Sequence, residues 1–406
     1  MKYLHRALED AFMEAQSESP ATLLSGPRQV GKTTMLEHLM EGTDRKFVSL
    51  DYANNLNLAR NDPDGFFQIF SPPVLVDEVQ YAPGLFRQIK IIADKTHRNG
   101  DFWLTGSRPY ELMNSETESL AGRISLLSMM PMSQSEIHGH ENAAFVPDAG
   151  ALMSRRCTKM LMPETFRMIF EGGMPKLVSG EAQNRNKFYD DYIQAYIEKD
   201  LNYLSLGIDG VMFSTFIKVA AAHIGQLVNV TNLAKEAEVN RETASKWLKL
   251  MEQLNIIFLL RPYSNGLLKR TIGTPKLYFH DTALAIQLMG WENPNVLQNC
   301  AMSGPYFENY VISEVYKSWI NAGRKPKLNF FRDKDGNEID LILEENACLH
   351  PLEIKKTATP SSDMISAFRL LKVPEAYTLG TGGIICNASE LSAFDANNLI
   401  IPAYMI

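Results

Sequence analysis

Gly26-Pro27-Arg28-Gln29-Val30-Gly31-Lys32-Thr33-Thr34 decides how this chain of 406 residues is read. It fills every position of the phosphate-binding pattern G-x-x-x-x-G-K-[ST]. Ala21-Thr22-Leu23-Leu24-Ser25 precedes it, short, apolar and β-capable, and the helix-forming Met35-Leu36-Glu37-His38-Leu39-Met40 follows. A glycine-rich turn between a strand and a helix aims backbone N–H groups and the positive helix end at one point. These nine residues therefore predict a cradle for nucleotide phosphates. Lys32 would reach the β- and γ-phosphates, and the Thr33 hydroxyl would be a magnesium ligand.

Further along, Ser71-Pro72-Pro73-Val74-Leu75-Val76-Asp77-Glu78 reads as a buried strand whose C-terminal end carries two acids. Beside the phosphate loop, Asp77 would hold magnesium, directly or through water, and Glu78 would polarise the attacking water. Lys46-Phe47-Val48-Ser49-Leu50-Asp51 and Phe102-Trp103-Leu104-Thr105-Gly106-Ser107 read as further strands. A helical pattern through Phe86, Ile89, Ile92 and Ala93 lies between them and stops at Asn99-Gly100. Alternating strands and helices imply an α/β domain, a parallel sheet with helices on both faces.

The order of these elements resembles the AAA-type P-loop ATPases of the additional-strand, catalytic-glutamate class. The resemblance implies a γ-phosphate sensor at the Thr105-Gly106-Ser107 end, with Ser107 favoured. It also implies an arginine finger in Ser119-Leu120-Ala121-Gly122-Arg123-Ile124. Arg123 reads equally well as a surface arginine at a helix end; as a finger acting in trans it requires a second copy, hence a homo-oligomer.

Bulk composition bounds the rest. The chain is 45% hydrophobic and 21% charged, as in globular proteins, and its length suggests two to four domains. No apolar run is long enough to span a bilayer, and the N-terminal residues lack the apolar segment of a signal peptide. Cys157, Cys300, Cys348 and Cys386 are scattered, with neither metal-ligand spacing nor a disulfide framework. A cytoplasmic protein without a membrane partner is expected. Net charge is −7, so contact with nucleic acid must come from a local patch.

Residues 140–212 read as a helical linker region. It is turn-rich at first and then carries a helix from Asn186 to Leu206 through Tyr189, Ile193, Tyr196, Ile197 and Leu201. His138-Gly139-His140 just before it reads as a loop. Three short helices follow: Thr215 to Ile224 stopped by Gly225, Thr231 to Ala237, and one opening after the N-cap Asn240 and running to Leu254. Asn255-Ile256-Ile257-Phe258-Leu259-Leu260 is a strand, turned by Ser264-Asn265-Gly266 into Leu267-Leu268. Residues 213–275 thus resemble a winged helix-turn-helix domain. From Arg241 to Lys276 there are seven basic residues against two acidic, Glu242 and Glu252. Arg241, Thr243, Lys246 and Lys249 are candidates for a DNA groove, and Lys269 and Arg270 for phosphates.

In the last third, Phe330-Phe331-Arg332-Asp333-Lys334-Asp335-Gly336-Asn337-Glu338-Ile339-Asp340 reads as a hairpin turning at Asp335-Gly336. On the next strand Glu353 and Lys355 stand two apart and share one face. Two carboxylates and an ammonium on adjacent strands can hold a divalent cation and orient a water. The D…E-x-K arrangement of Asp340, Glu353 and Lys355 resembles the PD-(D/E)xK nuclease core. That core also takes a helix glutamate, for which Glu308 and Glu314 are both available as a metal ligand.

Together these segments resemble prokaryotic ATPases with an N-terminal AAA-type module, here residues 1–139, and a C-terminal DUF4143 domain of nuclease-like α/β character, here residues 276–406. The resemblance implies ATP and Mg²⁺ as ligands. The expected function is ATP hydrolysis driving rearrangement of a winged-helix and nuclease-like region on DNA through residues 241–276. The alternative is a non-nucleolytic, ATP-dependent protein-interaction switch.

Overall fold

The computed structural model describes residues 3–107, 120, 122–194, 209–263 and 273–406. They form two compact units, one built mainly from Met1–Met132 with two short later segments, the other from the bulk of 133–406.

The first unit is a five-stranded sheet of β1 (Ala21–Ser25), β2 (Lys46–Ser49), β3 (Val74–Asp77), β4 (Phe102–Gly106) and β5 (Ile124–Ser128). The order is β2-β3-β4-β1-β5, with every pairing parallel. Strand β4 lies between the phosphate-loop strand β1 and the acidic strand β3, so the α/β expectation holds. Strand β5 is an addition to the strands expected from the sequence. Strands β1, β3 and β4 are buried at every position, as their continuous apolar runs require in a sheet covered on both faces. Leu23, Val48, Val76 and Leu104 meet Phe86 and Ile89 of the helix Leu85–Thr96 in one core. Each such side chain contributes about 1.5–3 kcal/mol by leaving water. Because all strands run the same way, β1 and β3 deliver their polar last residues, Ser25 and Asp77, and β4 its Thr105, to one edge.

In the second unit, helices Gly210–Ala222, Val230–Glu236 and Arg241–Gln253 match the three expected. The side chains of Asp209, Asn229 and Asn240 accept the first free amides of these helices. Strand β6 (Ile257–Pro262) pairs antiparallel with β7 (Lys276–Phe279). The return strand is thus at 276–279; the expected turn Ser264-Asn265-Gly266, with Leu267, Leu268, Lys269 and Arg270, lies outside the described residues. So do Tyr196, Ile197 and Leu201 of the expected long helix, which is seen as Arg185–Tyr192. The other edge of β6 pairs parallel with β8 (Lys327–Arg332), so one sheet runs across the boundary expected at 275/276. That sheet continues through β9 (Glu338–Glu345) and β10 (Cys348–Lys355), against which the short β11 (Thr378–Leu379) lies. Beyond β10 come β12 (Gly382–Cys386), β14 (Asn398–Pro402) and β13 (Ser392–Asp395) at the far edge. Among the described residues no helix is long and apolar enough to cross a membrane.

One glycine ties the sheet to the loop that follows β1. Gly26 has φ +145°, and a Cβ there would lie 2.1 Å from the Met129 carbonyl oxygen, which is backbone and cannot swing aside. Gly26→Ala should therefore destabilise the first unit by about 2–4 kcal/mol. Thermal unfolding without nucleotide checks this; an unchanged melting temperature would contradict the packing described.

Candidate nucleotide site and carboxylate cluster

The loop Gly26–Gly31 leaves β1 and enters the helix Lys32–Met40. Gln29 and Gly31 both hold left-handed backbone, at φ 61° and 94°. For Gln29 that conformation is uncommon, and such residues gather where a backbone is shaped for a ligand. Lys32 is buried, and its ammonium donates to the loop's own Gly26 and Pro27 carbonyls at 3.0 and 2.7 Å. Arg28 donates from the loop to the Tyr81 hydroxyl at 3.3 Å, and Thr34 is exposed at the helix start. Arg6, only 3% exposed, donates to the Val30 carbonyl at 2.6 Å and the Met130 carbonyl at 2.8 Å. This brace was invisible in the sequence, because an arginine near a chain start carries no local signal of its partner.

Asp77 is the centre of the site. Its Oδ1 accepts from the Thr33 hydroxyl at 2.6 Å and the Thr105 hydroxyl at 2.7 Å, and its Oδ2 accepts from Ser49 at 3.0 Å. The ends of β2, β3 and β4 and the start of the loop helix thus converge on one buried carboxylate. Neither Ser49 nor the structural role of Thr105 was read from the sequence. The Thr105 hydroxyl also accepts the Glu78 N–H at 3.0 Å, holding the backbone where Glu78 turns left-handed at φ 57°. Gln80 donates to the Glu78 carboxylate and, at 3.1 Å, to the Ser107 hydroxyl. The structure thus brings Lys32, Thr33, Asp77, Glu78 and Ser107 to one sheet edge. Arg123 instead pairs with Asp94 at a half-exposed position; its neighbours Ser119 and Ala121 lie outside the described residues.

Oxygen donors alone face one another at Thr33, Ser49, Asp77 and Thr105, a set that suits a hard cation such as Mg²⁺ and would not select a soft metal.

The second unit gathers a different cluster. Leu341 of β9 pairs with Leu352 of β10, which sets Asp340 and Glu353 at the next position along the ladder. Lys355 donates to Asp340 at 3.2 Å and to Glu353 at 2.5 Å, and Asp340 also accepts the Ile354 N–H at 2.9 Å. On the helix Ser303–Asn321, Glu308 accepts from Lys276 at 3.1 Å and from the Tyr278 hydroxyl at 2.5 Å. Lys276 is also paired with Glu338. Glu314, the other helix candidate, sits apart, bonded to Lys317 and the Gln134 N–H. Burial raises the Glu308 carboxyl, and the nearby Asp340 charge raises it further. Burial and then Asp340 push Glu353 up to about 8. Burial alone would lower both lysines, but the surrounding carboxylates hold Lys276 and Lys355 above their ordinary value. Among the described residues no group of three or more His, Cys, Asp or Glu stands ready to hold a metal. His138 bonds to the Gln134 carbonyl and His140 to the Thr158 hydroxyl. On the helix Arg241–Gln253, Arg241, Lys246 and Lys249 are exposed, with Lys246 paired to Glu242 at 2.8 Å.

Residues 18–138 match the family model described as AAA domain. Residues 162–295 and 303–406 match two domains of unknown function, DUF8612 and DUF4143. The uncharacterized proteins Mb2031c of Mycobacterium bovis and Rv2008c of Mycobacterium tuberculosis are each 27% identical over 350 residues, covering 86% of this chain and 73% of theirs. Similar solved structures include a Walker-type ATPase of Pyrococcus abyssi (13% identity, TM-score 0.41, 69% of this chain and 94% of that one). The RuvB Holliday junction branch migration motor of Thermotoga maritima is another (19% identity, TM-score 0.28, 62% and 85%). Both are too distant to assign a role.

A carboxyl raised on folding contributes stability that is complete below its unfolded value of 4.5 and is lost as pH climbs through about 8. The second unit should therefore melt at falling temperature as pH rises over that window, and Glu353→Gln, neutral at every pH, should flatten the slope. Thermal melts from about pH 5 to about pH 9 check this; equal slopes for both proteins would contradict the burial of Glu353.

Proposed function

Because the chain is an AAA-type P-loop ATPase with a C-terminal DUF4143 domain, we propose that its first unit hydrolyses ATP with Mg²⁺ to drive rearrangement of the second. The supporting observation is the Asp77 carboxylate held at 2.6 Å from the Thr33 hydroxyl, with Glu78 next in the chain at the same sheet edge. Lys32 would transfer its donors from the Gly26 and Pro27 carbonyls to β- and γ-phosphate oxygens. Thr33 and Asp77 would hold Mg²⁺, which neutralises phosphate charge when bound. Glu78 takes a proton from the attacking water as its oxygen bonds to the γ-phosphorus, and the bond to the β–γ bridging oxygen breaks to release ADP. Ser107 donates to the γ-phosphate. Arg123 is proposed as a finger toward a neighbouring copy; a partly exposed pair such as Arg123–Asp94 is worth only about 0.2–1 kcal/mol and is readily exchanged.

For the second unit we propose a helical linker at 140–212, a winged-helix-like element at 213–275 and a nuclease-like region at 276–406. Three side-chain-capped helices followed by β6, whose antiparallel partner β7 lies just past residue 275, support the second. The adjacent Asp340, Glu353 and Lys355 support the third. The exposed Arg241, Lys246 and Lys249 would contact DNA. One observation favours the alternative, a non-nucleolytic protein-interaction switch. Lys276 is bonded to Glu308, and Lys355 to Asp340 and Glu353, so the carboxylates a metal would need are already paired with ammonium groups.

Lys32→Ala should abolish nucleotide binding, whereas Glu78→Gln should bind ATP and lose about 10²–10⁴-fold in turnover. Full turnover by Glu78→Gln would remove the base assignment. ATPase rate measured with and without DNA over a salt series separates the two output readings. Stimulation that fades with salt supports DNA, and its absence supports the protein switch.

A further inference from the structure

We infer that Gln80 is a positioning residue for hydrolysis, its side-chain amide clamping the Glu78 carboxylate to the Ser107 hydroxyl so that both face the reacting phosphate in the required polarity. The inference rests on Glu78 being the base. Gln80 lies in the single 3₁₀ turn Val79–Tyr81 that starts directly after Glu78, and it is only 8% exposed. Its Nε2 donates both to Glu78 Oε2 and, at 3.1 Å, to Ser107 Oγ.

Hydrogen-bond inventory fixes what this bridge does. An ionised carboxylate only accepts, so Gln80 must present its NH₂ group to Glu78 and not its carbonyl. That NH₂ has two hydrogens, and the two bonds use both. Ser107, accepting from Gln80, keeps its single proton free to donate, which is what an anionic γ-phosphate oxygen requires. Glu78, gripped at Oε2, keeps Oε1 to accept from water. One amide therefore sets Ser107 as donor and Glu78 as acceptor and restrains the Glu78 side chain. The orientation has a cost: Gln80 Oε1 is buried and meets no donor among the described residues. An unmet buried carbonyl costs about 1–3 kcal/mol, so side-chain packing alone would not select this arrangement. The same turn is tied to the phosphate loop at its next residue, where Tyr81 accepts from Arg28 at 3.3 Å.

The test uses the full chain with Gln80→Met, which keeps the volume and loses both donors, and Gln80→Glu, which keeps the shape and reverses the polarity. Each is compared with Glu78→Gln and with Gln80→Met in the Glu78→Gln background. Readouts are steady-state and single-turnover ATP hydrolysis with Mg²⁺, binding of a fluorescent ATP analogue, and thermal melting. Both single variants should lose about 10- to 100-fold in kcat, as a misplaced catalytic group does, while KM and analogue affinity stay close to wild type. Gln80→Met should add no further loss once Glu78 is already glutamine. Wild-type kcat in a folded Gln80 variant, with Glu78→Gln strongly impaired, would overturn the clamp and leave the base assignment standing. So would an equal loss in both backgrounds, since Gln80 would then act without Glu78. Full turnover by Glu78→Gln would remove the base assignment, and the clamp with it.

Discussion

A single buried carboxylate organises the nucleotide-binding unit. Asp77 accepts hydrogen bonds from the hydroxyls of Thr33, Thr105 and Ser49, which arrive from the loop helix, from β4 and from β2. A buried carboxyl group left without hydrogen-bond donors is costly, and three converging hydroxyls are how this fold supplies them. The demand works in both directions. The acid is fixed in place, and the strand ends that carry it are drawn to one level, where Lys32 and Glu78 also emerge. The parallel order of the sheet makes this geometrically possible, since all its strands end at the same edge.

Much of this was legible in the residues. The phosphate loop, Asp77-Glu78 and the strand at 102–106 are written in contiguous stretches, where a pattern and its flanks declare the element. Strand β5 was missed because Ile124-Ser125-Leu126-Leu127-Ser128 lacks the continuous apolar run of its neighbours; it is mostly half-buried, at the sheet edge. Arg6, Ser49 and Gln80 were missed for another reason. Each acts through a partner distant in sequence or through the rotamer of a neighbour, and neither leaves a periodic trace. In the second unit, alternation placed Glu353 and Lys355 on one face, and ladder register then brought Asp340 to them. The role of Lys276 was not legible, because only the pairing of β7 with β6 and its approach to Glu308 give that lysine its acidic surroundings.

The C-terminal cluster shows how burial changes what a motif means. Glu308, Glu338, Asp340 and Glu353 would repel one another strongly if all were charged in a poorly solvated site. Lys276 and Lys355 relieve that repulsion, and burial together with the Asp340 charge raises the Glu353 carboxyl. The same side chains that spell a metal-binding signature in one dimension therefore form a largely self-neutralised network in three. Buried ionic networks of this kind are weak evidence for stability and better evidence that a particular arrangement is being specified.

Strand β6 hydrogen-bonds to β7 on one side and to β8 on the other. The two segments that match separate families, 162–295 and 303–406, therefore share a continuous backbone ladder. Excising either segment would leave a raw strand edge with unpaired amides, an invitation to aggregation that intact sheets avoid. The boundary between the two matched segments is therefore bridged by hydrogen bonds and is not a boundary in the sheet.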